Sequence, residues 1–184
     1  IIRKKILYYA IFIFSFFISK TVYAHHFIDN KNPVSLFDGF ISGVAHPVIG
    51  LDHLIFLVFF SILTLMITRN ISYICTFIIA TILGSFLTVI NLNIPGLELF
   101  IILSIIALSL IFFIYQKISN YYLKIFLYPF LVLFGLFHGN AYGNTITESP
   151  FFTKITYITG FCLSQLIICF LCFYIASITR FFIG

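Results

Sequence analysis

Leu97-Glu-Leu-Phe-Ile-Ile-Leu-Ser-Ile-Ile-Ala-Leu-Ser-Leu-Ile-Phe-Phe-Ile-Tyr115 is a run of nineteen residues with a single charge, Glu98, at its start. A helix rises 1.5 Å per residue, so this run reaches about 28 Å, close to the thickness of a bilayer's hydrocarbon core. A strand is excluded because the run is continuously apolar and too long. Comparable runs cover residues 36–67, 71–92, 125–142 and 152–179, with short polar punctuation between them. The predicted fold is therefore all-α: a polytopic transmembrane helix bundle of about five membrane helices.

Composition leads to the same place. Of 184 residues, 62% are hydrophobic and 8% charged, whereas a soluble domain devotes about a quarter of its residues to charge. There is too little polar surface to cover a water-soluble globule, so the lipid bilayer is the expected solvent. The net charge of +5 does not imply nucleic acid as a partner. Outside an N-terminal cluster the basic residues are scattered between apolar runs, the pattern of topology-setting loop charges. Cys75, Cys162, Cys169 and Cys172 lie within apolar runs, where thiols pack as small hydrophobes, and no disulfide framework is expected.

Residues 1–24 read as a signal peptide. Arg3, Lys4 and Lys5 form a basic start, Ile6 to Ser19 an apolar centre, and Val22-Tyr23-Ala24 the cleavage site. Residues 25–184 form one predicted transmembrane domain. With the basic start held inside, the mature N-terminus lies outside a bacterial-type inner (cytoplasmic) membrane. The inner loops then carry Arg69, Lys117, Lys124 and Arg180, and the outer segments Lys31 and Lys154, in the sense of the positive-inside rule. Cleavage after Ala24 would leave His25-His26 at a free amino terminus, a further place for a metal ion.

Ionisable groups inside spanning segments are costly and mark functional paths. Asp38, His46, Asp52 and His53 all belong to the first predicted mature helix. With Asp38 at zero, a straight helix places His46 at about 80°, His53 at about 60° and Asp52 at about −40°. Gly39, Gly43 and Gly50 fall beside the histidines, and Gly39-Phe-Ile-Ser-Gly43 is a GxxxG that admits a close helix neighbour. The polar stripe should thus face the bundle interior, with Pro47 kinking the helix just before the His46 turn. Glu98 and His138 belong to the same outer half. Imidazole with carboxylate suits Ni²⁺, Co²⁺ or Zn²⁺ better than Mg²⁺ or Ca²⁺. The same side chains could instead be interhelical hydrogen-bonding groups, and Asp38 is expected to be a helix N-terminal charge rather than a ligand.

His46-Pro-Val-Ile-Gly50-Leu-Asp52-His53, together with Gly39-Phe40, Pro95-Gly96-Leu-Glu98 and Phe137-His138-Gly139-Asn-Ala141-Tyr-Gly143, resembles the HupE/UreJ family, membrane accessory proteins of nickel hydrogenase and urease systems. The resemblance spans nearly the whole chain. It implies a permease for nickel or sometimes cobalt, with His46, Asp52, His53 and His138 handling the ion and the nickel-metalloenzyme maturation machinery as a partner. The family's His-Gly-x-Ala-His-Gly-x-Glu motif is incomplete here, with Tyr142 and Asn144 read into the places of its second His and its Glu. Its last helix is also missing, so a sixth helix beyond Gly184 is expected. Three functions stay open: a metal permease, an intramembrane zinc hydrolase, and a non-transporting assembly factor. Neither HExxH nor GxSxG occurs in the sequence, which disfavours the hydrolase.

Overall fold

A computed structural model describes residues 32–68, 70–115, 117 and 120–183. The predicted signal peptide, His25-His26 and Lys31 lie outside these residues. Those described form six helices and no strands: α1 Leu36–Ile49, α2 Leu51–Ile67, α3 Ser72–Val89, α4 Leu97–Ile114, α5 Asn120–Asn144 and α6 Phe151–Ile183. Four of them are long and apolar enough to cross a membrane, and α1 with α2 makes a fifth if the bent pair counts as one span.

That bend corrects the sequence reading. Residues 36–67 are not one helix kinked before His46. They are two helices meeting at 71°, and the break falls after His46, at Gly50, whose backbone is extended (φ −71°, ψ 94°). Pro47 is accommodated inside α1, although it has no N–H to donate to the preceding turn. That turn is held from outside, because Gly43 is packed against the Tyr157 backbone of α6. The chain therefore leaves the helix three residues later, where glycine leaves space. A Cβ on Gly50 would come within 2.7 Å of the His53 ring.

Two pairs of parallel helices build the frame. On α1, Gly39 meets Thr153 and Thr156, and Gly43 meets Tyr157; Gly160 returns the contact against Phe40. The GxxxG expectation is met by α6. The second pair, α3 with α5, is sealed by Gly135 against Phe77 and Ala80, Gly139 against the Thr81 carbonyl, and Gly143 against Thr88. Within lipid, apolar side chains gain little by leaving one hydrocarbon for another. Close backbone approach through small residues then supplies the packing energy.

Between the pairs lies an aromatic core. Phe56 of α2 stacks on Phe77 of α3 with ring centroids 4.9 Å apart, and it lies 4.4 Å from the His138 ring of α5. Outward-facing Ile79, Leu83, Leu110, Leu133 and Ile167 are exposed, as a lipid-facing surface requires. Asp38 takes the part expected of it. Its backbone N–H donates to Ser35 Oγ at 3.0 Å, and its carboxylate accepts from the Ser35 N–H at 3.4 Å, a reciprocal N-terminal cap. Cys169 is fully buried in the core and Cys162 packs against it, in line with thiols acting as small hydrophobes.

Candidate functional site

The broken span creates the site. On a straight helix, His46 and His53 would be separated by about 10 Å along the axis. Across the Gly50 break their ring centroids are 5.5 Å apart. His46 occupies the last turn of α1 and Asp52 the first turn of α2. A helix N-terminus favours a carboxylate, which suits Asp52, and a helix C-terminus favours a cation, which would suit a metal ion held beside His46. Asp52 Oδ1 accepts from the His53 backbone N–H at 2.8 Å, which satisfies one donor of the α2 N-terminus.

The two imidazoles are held from behind by separate partners. His53 Nδ1 lies 2.8 Å from His138 Nδ1, and His138 Nε2 lies 3.1 Å from Ser104 Oγ. His46 Nδ1 lies 2.6 Å from the Tyr157 hydroxyl, which in turn lies 3.0 Å from Thr145 Oγ1. The Tyr142 ring packs beside both histidines, 4.9 Å from His46 and 4.5 Å from His53. The loop beside them is fastened by Asn140, whose Oδ1 accepts from the Ile94 N–H at 3.1 Å while its Nδ2 donates to the Leu92 carbonyl at 2.9 Å.

These elements border an open cavity of about 470 Å³. His46, Asp52, His53 and Tyr157 line it, together with Ile94, Leu97 and Glu98. Four of the five sequence-predicted residues thus border one space. His46 and Asp52 are partly accessible, His53 is nearly buried, and Glu98 is exposed. His138 is fully buried and is not part of the cavity lining; it stands behind His53 with both ring nitrogens in contact. Among the described residues, no three His, Cys, Asp or Glu side chains converge as a ready metal-holding group.

Tyr157, Thr145, Ser104 and Asn140 were not singled out from the sequence. A hydroxyl in an apolar helix bonds its own helix backbone by default, and nothing local told these residues from Ser109 or Thr76. Only tertiary contacts distinguish them: Tyr157 with His46, Ser104 with His138, Thr145 with Tyr157, and Asn140 with the loop at Leu92 and Ile94. Asn140 did lie within the quoted Phe137–Gly143 motif, and that was its one signal. A residue-by-residue count along His-Gly-x-Ala-His-Gly-x-Glu also puts Thr145, and not Asn144, at the Glu position.

No curated protein and no solved structure matches this chain. A family profile does, that of the HupE / UreJ protein, over residues 13–182. That match covers nearly the entire sequence, including both helix pairs and every residue bordering the cavity. The chain belongs to the HupE / UreJ family.

Proposed function

We propose that the protein is a membrane permease for a divalent transition metal, nickel or cobalt, which it supplies to the maturation of nickel metalloenzymes. The observation that carries this reading is the cavity at the broken helix, bordered by His46, Asp52, His53 and Glu98. Two imidazoles and two carboxylates are a borderline ligand set, suited to Ni²⁺ or Co²⁺. Membership in the HupE / UreJ family supports the coarser part, a membrane role in metal handling for hydrogenase and urease systems.

In this reading the ion is cargo. It enters from the outer side, exchanges part of its hydration against His46, His53 and Asp52 in turn, and moves inward. Basic residues in the inner loops support an inner-membrane orientation with the N-terminus outside. An inside-negative potential contributes about 2.3 kcal/mol per charge per 100 mV, so a divalent ion gains about twice that. Binding must remain weak enough for release. A broken span suits this, because partly accessible ligands can exchange with water.

The test is accumulation of labelled nickel and cobalt by cells expressing the wild type, His46→Ala or Asp52→Ala, with membrane levels checked by immunodetection. Either substitution should abolish uptake at equal protein level. Uptake unchanged in both would overturn the assignment. Stoichiometric, tightly bound zinc in a wild type that transports nothing would favour an intramembrane hydrolase instead.

A further inference from the structure

We infer that two hydrogen-bond relays lock both cavity histidines in one tautomer, with Nδ1 protonated and the lone pair on Nε2, and that His138 is a positioning residue for His53. The consequence for ion binding rests on the permease reading above; the tautomers themselves do not.

The first relay is read from its far end. Ser104 has one hydroxyl proton, and its Oγ donates to the Ile101 carbonyl at 2.6 Å. Two oxygens at that distance need a proton between them. Ser104 Oγ must therefore accept at its second contact, 3.1 Å from His138 Nε2, so His138 carries its proton on Nε2. A neutral imidazole has one N–H, which makes His138 Nδ1 an acceptor. The 2.8 Å contact between the two Nδ1 atoms is then filled by the proton of His53. His53 keeps its lone pair on Nε2.

The second relay runs through different helices to the same result. Thr145 Oγ1 donates to the Tyr142 carbonyl at 2.8 Å and lies 3.0 Å from the Tyr157 hydroxyl, which lies 2.6 Å from His46 Nδ1. One assignment puts a proton in all three contacts. His46 Nδ1–H donates to Tyr157, Tyr157 donates to Thr145, and Thr145 donates to the Tyr142 carbonyl. The opposite sense leaves the Tyr142 carbonyl contact without a proton. His46 also keeps its lone pair on Nε2.

Each relay ends on a helix carbonyl, a group that only accepts, so the direction of neither can reverse without losing a bond. Metal ions bind the lone pair of a neutral imidazole, and the partner at the other nitrogen sets ring orientation and tautomer. His138, fully buried and engaged at both nitrogens, acts through His53. Tyr157 and Thr145 do the same for His46.

The experiment is ¹⁵N NMR of imidazole-labelled, metal-free protein in lipid bilayers, where protonated and unprotonated ring nitrogens have distinct shifts. Wild type should show Nδ1–H at His46 and His53 and Nε2–H at His138. Nε2–H at either cavity histidine would overturn the proposal, whether or not the protein transports any ion. Ser104→Ala should mix the His53 tautomers and weaken nickel binding about 10- to 100-fold, the usual effect of losing an outer partner. His138→Asn, whose amide oxygen can still accept from His53, should retain Nδ1–H at His53, and His138→Leu should not. An unchanged His53 signal in both Ser104→Ala and His138→Leu would refute the positioning role. The wild-type spectrum decides the tautomers even if a variant fails to fold.

Discussion

Gly50→Ala probes the break without touching a ligand. The glycine backbone at φ −71° and ψ 94° is open to any L residue, so the substitution brings no conformational strain. Its effect is steric. The new methyl would lie 2.7 Å from His53 Cδ2 and 3.3 Å from Asp52 Oδ1. Ordinary carbon contact begins at about 3.5 Å, so the ring must move by about 0.8 Å. The His53–His138 bond is 2.8 Å long, and a shift of that size along it in either direction leaves the hydrogen-bonding range. Losing a buried hydrogen bond costs about 1–3 kcal/mol, which is about 5- to 150-fold in an equilibrium constant. The half-saturating nickel concentration for uptake should rise by a factor in that range, with protein level in the membrane unchanged. Val48→Ala, on an exposed neighbour, should leave it unaltered. Wild-type half-saturation in Gly50→Ala would refute the claim that this glycine exists to make room for the His53 ring.

Gly139→Leu should destabilise the whole bundle, because its Cβ would collide with the Thr81 carbonyl of α3; thermal unfolding in detergent should drop by many degrees or folded protein should be lost. Asp38→Asn should cost about 0.3–1 kcal/mol of stability through the α1 N-terminus and leave nickel uptake within about twofold, since it belongs to a cap and not to the cavity. Glu98→Gln should slow nickel uptake by less than about tenfold and reduce its dependence on ionic strength, as expected for an exposed charge at the cavity rim; uptake at different salt concentrations measures it.

Much of the frame could be read along the chain because lipid imposes a local rule. Each span must be long, apolar and helical, and runs such as 97–115 and 71–92 obey it without reference to any other element. The Gly39–Gly43 seam was legible for a similar reason, since small residues four apart advertise a close neighbour. Gly135, Gly139 and Gly143 carry the same spacing and were passed over, the last two having been read only as parts of a motif. The break was misplaced because Pro47 has an intrinsic effect and Gly50 has a contextual one: its open space matters only once the His53 ring is beside it. The relays could not be read at all. Tyr157 meets His46 across 111 residues and Ser104 meets His138 across 34, and such meetings follow from which helices pair, which no local pattern encodes.

If the protein carries a divalent ion as proposed, the broken span bears on an electrostatic problem that a continuous helix would leave open. A bare divalent ion within a bilayer requires compensating charge close by. The C-terminal end of α1 contributes about half a negative charge, and the N-terminal end of α2 about half a positive one. Asp52 lies on that second end and outweighs it. Glu98 also lines the cavity, so the proposed divalent cargo would find two carboxylates within reach. An unbroken helix would place neither helix end at this depth; the broken one brings both, and their opposite half-charges cancel in sum but favour a cation close to the C-terminal end of α1. Pro47 and Gly50 are therefore as much a part of the site as the histidines they separate. If the protein is the proposed permease, the histidines would supply selectivity through their nitrogens, the carboxylates the compensating charge, and the break the geometry that puts His46 and Asp52 on one cavity.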